Sequence, residues 1–403
     1  MSELRSSSEM SSIAAPLRAA LALALAAAVS LGLSRFSYAL LLPPMRSDLA
    51  WSYTTAGAMN TVNAAGYLAG ALLAPRWLAR HDARRVMLIG GAAAALLLAL
   101  HAVVRSDVAL YVVRTATGIA SAASFIGGGL LAARLAGAGP GLQAGTVLGL
   151  YYGGTGLGIV ASALLVPPFV AASAAGWPAA WLALAVLAAA CTAVTAASTR
   201  ELHAPPAACA ERARFAWSSM AFGLAGYLCF GLGYIGYMTF IVTLLRDQGL
   251  TGSAISAFYA LLGAAVIASS WIWARLLQRW RGGGVLALLN AVLAAATLLP
   301  VMSHSTPAAF ASGLLFGAVF LQVVAATTAL VRHNLPAAAW PAGITAFTIV
   351  FAAGQIVGPT VVGRIADSGG GLLRGLAASA GVLALGAVLA SLQRPLIRHT
   401  DPP

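Results

Sequence analysis

Apolar runs of eighteen or more residues recur from one end of this chain to the other, and they rule out most folds at once. A run of that length matches the roughly 30 Å of hydrocarbon in a bilayer. The repetition therefore predicts an all-α membrane protein built from many spans. The charge content agrees: 60% of the residues are hydrophobic and 8% are charged, against about a quarter charged in soluble chains. No stretch reads as a soluble domain.

The pattern predicts twelve spans. They are 17–45, 53–78, 84–104, 108–136, 142–170 and 178–198, followed by 215–245, 252–277, 284–302, 306–335, 341–366 and 372–393. The predicted domains are a tail over 1–16, a six-helix bundle over 17–198, a linker over 199–214, a second bundle over 215–393 and a tail over 394–403. The linker stands out through Glu201, Pro205, Pro206, Glu211, Arg212 and Arg214.

All 23 basic residues are arginine. Arg5, Arg18, Arg76, Arg80, Arg84, Arg85, Arg134, Arg200 and Arg212 fall on one side of the predicted spans, with Arg275, Arg279, Arg332 and Arg394. The other side has few: Arg46, Arg105, Arg246, Arg364 and Arg374. Positive residues mark the cytoplasmic side, so both termini and the linker are predicted to be cytoplasmic. The net charge of +13 does not indicate nucleic acid, because the arginines are spread along helix ends. Asp48, Asp82, Asp107, Asp247 and Asp367 all fall in loops, and no carboxylate is predicted inside the membrane.

The two halves align at a shift of 199 residues. Gly32-Leu-Ser-Arg-Phe-Ser-Tyr38 meets Gly231-Leu-Gly-Tyr-Ile-Gly-Tyr237, Asp48 meets Asp247, and Gly118 meets Gly317. Parallel six-helix repeats are a transporter architecture, with the solute site near the midplane. The repeat does not preserve two intramembrane arginines: Arg35 meets Tyr234, and Arg114 meets Gly313.

Several of these features resemble the major facilitator superfamily of secondary transporters, over nearly the whole chain. Ser34-Arg35-Phe36-Ser37-Tyr38 followed by Leu42-Pro43-Pro44-Met45 is similar to its uncharacterised bacterial YbfB/YjiJ-type branch. Arg114-Thr-Ala-Thr-Gly118 matches the fourth-span motif of the superfamily, and the resemblance implies that Arg114 faces a central cavity. Between spans two and three, Arg76, Arg80, Arg84 and Arg85 keep the basic gating cluster, but Asp82 comes late for the acid of that motif. Span five is rich in glycine around Gly154 and Gly158, without the proline of the exporter motif. Gly358-Pro359 stands in span eleven instead.

Arg35 and Arg114 lie roughly 13 Å and 9 Å below the outer ends of their spans at 1.5 Å per residue. An arginine at that depth either serves structure or marks a solute path. Two guanidiniums at one level suit a carboxylate or phosphate, which their planar forks bind bidentately. Tyr38, three residues after Arg35, is expected on nearly the same helix face, and Tyr234 and Tyr237 repeat that spacing in span seven. These five residues are the candidate cavity lining. Asn60 and Asn63 are expected to bond neighbouring helices. Gly118, Gly154, Gly158, Gly354 and Gly358 are expected at close helix contacts. His101 is expected at a membrane interface. Neither the histidines nor the three cysteines show ligand spacing, so neither a metal nor a cofactor is predicted.

The expected function is secondary transport of a small solute by alternating access, with a small organic anion the best-supported substrate class. The alternatives are export of neutral or apolar compounds and, in another class, a non-transporting receptor. No nucleophile–base pair or catalytic carboxylate pair points to an enzyme. The expected setting is a monomer in a bacterial inner membrane, with a proton or counter-substrate as coupling partner.

Overall fold

A computed structural model describes residues 16–137, 144–171, 173–204, 215–336 and 339–396. Residues 1–15, 205–214 and 397–403, which hold most of the predicted tails and linker, lie outside the described residues. Those described are helical, with no strand among them. The long helices of the first half are α1 (Pro16–Asp48), α2 (Tyr53–Leu78), α3 (Ala83–His101), α4 (Asp107–Gly137), α5 (Ala144–Leu165) and α6 (Trp177–Ser198). Those of the second half are α7 (Ala221–Asp247), α8 (Gly252–Ile272), α9 (Gly284–Met302), α10 (Thr306–Asn334), α11 (Trp340–Ile365) and α12 (Gly371–Ser391).

Ten stretches of the described chain are long and apolar enough to cross a membrane. One of them, Trp340–Ser391, joins α11 and α12. Between these helices Ser368 leaves helical geometry and Gly369 takes φ 91°, a left-handed turn that suits glycine. α2 is not among the ten; its first half carries Thr54, Thr55, Asn60, Thr61 and Asn63.

The ends of the helices follow local chemistry. Asp82 caps α3 by accepting the Arg84 N–H at 2.8 Å, and Thr251 and Ser305 cap α8 and α10 in the same manner. Two predicted spans break before their predicted ends. The sequence predicts span five to Val170, but α5 ends at Leu165 and Pro167 opens a separate turn, Pro167–Val170. Proline has no N–H to continue the ladder and suits the start of a new helix. The sequence predicts span eight to Leu277, but α8 ends at Ile272 and a short helix, Ala274–Arg279, restarts after Trp273.

The chain divides into two compact units: Met1–Leu49 with Ala65–Ala208, and Ala50–Ala64 with Cys209–Pro403. In the first, α3 packs along α4 and α6, and α5 packs against the middle of α1. In the second, α7 packs against α11 and α12, α9 against α12, and α10 against α8 and α9. The second unit also takes in the start of α2, where the polar residues find their partners. Asn60 Nδ2 donates to Thr239 Oγ1 at 2.8 Å. Thr61 Oγ1 donates to the Ile356 carbonyl at 2.6 Å. The Asp367 carboxylate accepts the N–H groups of Tyr53 and Thr54 at 2.9 and 2.8 Å.

Glycines set the closest approaches in each unit. A Cβ on Gly158 would stand 2.5 Å from the Ala28 carbonyl oxygen, and one on Gly154 would stand 2.7 Å from the Ala24 carbonyl carbon. In the second unit a Cβ on Gly354 would meet the Leu228 oxygen at 2.7 Å, and one on Gly358 the Leu232 oxygen at 2.5 Å. α5 therefore lies backbone to backbone on α1, and α11 on α7. Gly118 is buried in α4.

Candidate functional site

The middle of α1 is not an α-helix. Residues Ala28–Phe36 form a π-helix, closed by the Ser37 N–H donating to the Gly32 carbonyl at 3.1 Å. Wide turns of this kind concentrate at functional sites. Three serines fasten it by bonding back to carbonyls: Ser30 to Ala27 at 3.2 Å, Ser34 to Val29 at 2.7 Å and Ser37 to Leu33 at 2.5 Å. Every residue of the segment is buried. Hydrophobicity alone cannot distinguish this turn from an α-helix, so the sequence did not show it.

Arg35 and Arg114 both lie inside the first unit, 5% and 1% exposed. Arg114 Nη1 donates to the Ser34 carbonyl at the end of the wide turn, at 3.0 Å. Its guanidinium lies 4.8 Å from the centre of the Tyr38 ring and 5.9 Å from that of Trp181. Arg35 lies 5.8 Å from the centre of the Tyr67 ring. Tyr38 supports Arg114, and Tyr67 of α2 supports Arg35. Aromatic faces attract cations more strongly when water is excluded. The two guanidiniums also repel each other, so an anion that met both would relieve their mutual repulsion.

His101 joins this group. It ends α3, as the sequence predicts, and is fully buried. Its ring stacks on Trp181 with centroids 4.5 Å apart. Nδ1 lies 2.7 Å from the Leu97 carbonyl oxygen. A carbonyl only accepts, so Nδ1 carries the hydrogen. Among the described residues Nε2 has no hydrogen-bond partner. No local signal in the sequence links His101 to Trp181, which lies on another helix.

Tyr234 and Tyr237 belong to a different environment, an aromatic array in the second unit. Tyr227, Phe230, Phe351, Tyr234, Phe320, Phe316 and Tyr237 stack in sequence, with neighbouring centroids from 4.0 Å (Tyr237–Phe316) to 6.1 Å (Tyr234–Phe320). The Tyr234 hydroxyl accepts from Gln355, and Tyr237 shares a 2.7 Å hydrogen bond with Ser312. Gln322 donates to Ser269 at 2.9 Å. The amides of the second unit thus bond helix to helix.

The basic cluster after α2 is built around Arg84 and Asp82. Arg84 donates to the Ala196 carbonyl at 2.7 Å and to Thr199 Oγ1 at 3.2 Å, gripping the end of α6. Asp82 accepts the Ala204 N–H at 2.8 Å. The late acid of the motif therefore serves the chain that follows α6. Arg76, Arg80 and Arg85 lie beside this junction at the end of α2 and the start of α3.

Among the described residues every carboxylate sits at a helix end, a turn or a break: Asp48 and Asp247 end α1 and α7, Asp107 starts α4, Asp82 caps α3, Glu201 follows α6, and Asp367 lies between α11 and α12. Asp48 accepts from Arg105 at 2.7 Å and from the Trp177 indole at 2.8 Å. The Trp177 bond is the main reason its carboxyl is held below the ordinary carboxylate range, with Arg105 adding to it. There are no groups of three or more potential metal ligands among the described residues.

Comparison with known proteins agrees with this architecture. Among solved structures, the nucleoside transporter NupG superposes with a TM-score of 0.71 at 15% identity, covering 93% of this chain and 99% of its own. A bacterial homologue of the human lysosomal transporter Spinster, inward-facing and unoccupied, gives 0.69 at 14% identity, with 94% and 96% covered. Tetrameric PepTSo2 gives 0.71 at 14% identity, also with 94% and 96% covered. At such identities the likeness establishes the fold alone. No curated protein matches in sequence. Residues 27–391 match the family described as uncharacterised MFS-type transporter YbfB. The chain is a multi-pass membrane protein and belongs to this family of major facilitator superfamily transporters.

Proposed function

We propose that this transporter moves a small organic anion by alternating access, with Arg35 and Arg114 as the groups that receive its charge. The observation that carries the reading is the pair of guanidiniums buried in the first unit, in a chain whose described carboxylates all stand at helix ends, turns or breaks. Buried charge in a membrane helix is conserved for function more often than for stability. Arginine keeps its charge and presents a fork that fits a carboxylate. Tyr38 and Tyr67 lie against the two cations, 4.8 Å from Arg114 and 5.8 Å from Arg35.

The reading extends to topology. We take α1–α12 as twelve spans, with both termini and the linker cytoplasmic and the Arg84 junction on that face. The setting is a bacterial inner membrane, the working unit a monomer, and the coupling partner a proton or a counter-substrate.

The aromatic array of the second unit favours a second reading, in which neutral apolar compounds are exported and the arginines serve gating. A thermal-shift screen of purified protein separates the two. The panel contains acetate, lactate, succinate, benzoate, phosphate, organic cations and apolar drugs, tested on wild type, Arg35→Ala and Arg114→Ala. A ligand that binds the folded state stabilises it. Stabilisation by an anion, lost in both variants, supports the anion site. Stabilisation by apolar compounds alone, unchanged in the variants, replaces it with the export reading.

A further inference from the structure

We propose that the solute is an aromatic acid, whose flat ring enters a recess lined by Tyr67, Phe125 and Tyr152 in the first unit while its carboxylate goes to the Arg35 end of the cationic pair. This rests on the anion reading above and deepens it by naming the class of anion. Burial along three helices locates the recess. On α4, Ser121, Ala122 and Gly128 stand within one turn of Phe125 on its face, and all are buried. On α5, Thr155, Gly156 and Ile159 follow Tyr152 on its face and are buried as well. On α2, Asn63, Gly70 and Ala74 do the same for Tyr67. Residues three, four and seven apart share a helix face, so each ring belongs to a face turned into protein, away from lipid. Yet the rings stay open: Tyr152 is 43% exposed, and Phe125 and Tyr67 are half-buried. Interiors are otherwise close-packed, so an opening that exposes rings on buried faces is an internal recess.

The rings are joined to one another and to the cation. Phe125 and Tyr152 have centroids 6.1 Å apart, and each lies beside the Tyr151 ring, at 5.4 and 5.3 Å. Tyr151 is the fixed post. It is fully buried, its hydroxyl donates to the Phe125 carbonyl, and Gly128 leaves it room, since a Cβ there would stand 3.1 Å from the ring. Tyr67 joins from α2, its phenol bearing on that of Tyr151. Gly66 and Gly70 press its turn against the backbone of Thr115 and Ile119 on α4. Arg35 lies 5.8 Å from the centre of the Tyr67 ring. The series runs from an exposed ring at Tyr152 to a buried cation at Arg35.

The inclination of the rings suits an aromatic guest. Phe125, Tyr151 and Tyr152 meet at 34°, 55° and 66°. The array of the second unit is different: Phe230–Phe351 and Tyr237–Phe316 lie at 7° and 16°, stacked into a wall. Inclined rings present both faces and edges, against which another ring packs at roughly 4.5–7 Å. A concave aromatic lining with one or two placed charges is the usual form of a small-molecule site. Acetate would meet the cation and leave the rings bare.

The test is isothermal titration of the full-length protein in detergent with benzoate, cyclohexanecarboxylate, acetate and benzyl alcohol. Wild type should bind benzoate about tenfold more tightly than cyclohexanecarboxylate, the discrimination that one or two ring contacts supply. This comparison needs no variant, so a folding failure cannot obscure it. The preference should vanish in Phe125→Leu and Tyr152→Leu and survive in Tyr152→Phe. Equal binding of the two ring acids, or a preference kept in both leucine variants, overturns the proposal and leaves the anion reading standing. Benzyl alcohol binding as tightly as benzoate overturns the anion reading, and the aromatic acid falls with it. Binding by none of the three acids overturns both.

Discussion

α1 and α7 open the two halves and align residue for residue, yet they have diverged in a specific manner. Both are the most enclosed helices of the chain, and both are pressed against glycines, α1 on Gly154 and Gly158, α7 on Gly354 and Gly358. α1 opens into a wide turn, fastened by serines, whose last carbonyl holds Arg114. α7 stays regular across the matching stretch and stacks Tyr234 and Tyr237 into an aromatic wall. The repeat has kept the packing surface in both units and placed the charge in one. Close backbone contact is shared by both scaffolds, while the buried arginines, among the described residues, lie in the first unit.

Five experiments press on this contrast. The largest effect should come from the shared feature. Gly154→Val and Gly354→Val each force side-chain atoms into backbone, and each should cost roughly 1–3 kcal/mol or prevent folding, as overpacking does. Thermal unfolding in detergent reads both, and a loss confined to one unit would break the equivalence of the two seams. Next, Tyr234→Phe removes the hydroxyl that Gln355 donates to. It should cost about 1 kcal/mol, the typical net value of an intramolecular hydrogen bond. Arg114→Met removes the donor to the Ser34 carbonyl as well as the buried charge, and should likewise cost about 1 kcal/mol. A large loss in Arg114→Met would make Arg114 a structural residue.

Asn60→Leu should cost only about 0.6 kcal/mol, the average for hydrogen bonds between membrane helices, even though Asn60 bonds Thr239 at 2.8 Å. A cost above 2 kcal/mol would show the start of α2 to be a keystone of the second unit. The smallest effect is on pH. Asp48 is held below the ordinary range chiefly by its bond from Trp177. Burial works to raise Asp367, but hydrogen bonds from Thr54 and Tyr53 outweigh it and hold it low as well. A carboxyl lowered in the folded state binds its proton more weakly there than when unfolded. Its stabilisation is therefore present above the unfolded value and is lost as pH falls through the folded one. Asp48→Asn and Asp367→Asn should each start from a slightly lower Tm at neutral pH and flatten its decline below about pH 4.

Much of the helix layout was legible because its signal is local. α9 falls on the predicted bounds, 284–302, since loop residues flank an uninterrupted apolar run, and α2 falls on 53–78 between loop residues although its first half is polar. Arg35 and Arg114 stood out because a charge within such a run must serve either structure or a solute path. What sequence could not give are the features that depend on distant contacts. The wide turn of α1 keeps the same apolar composition as an α-helix. His101 looks like any histidine at a helix end until Trp181 is brought against it from α6. The start of α2 joins the second unit through Thr239, Ile356 and Asp367, none of which its own stretch could point to.

The wide turn has one more consequence, for how the two halves are compared. Between Gly32 and Asp48 the chain has as many residues as between Gly231 and Asp247, but part of α1 winds more loosely. One such turn delays the helix by about one residue, or about 100° of rotation. Tyr38 and Tyr237 are thus equal in count and different in azimuth: one lies beneath a guanidinium and the other against Phe316. Pairing the halves by alignment alone finds the right rung and the wrong compass bearing, and substitutions carried from one half to the other should be corrected for that angle.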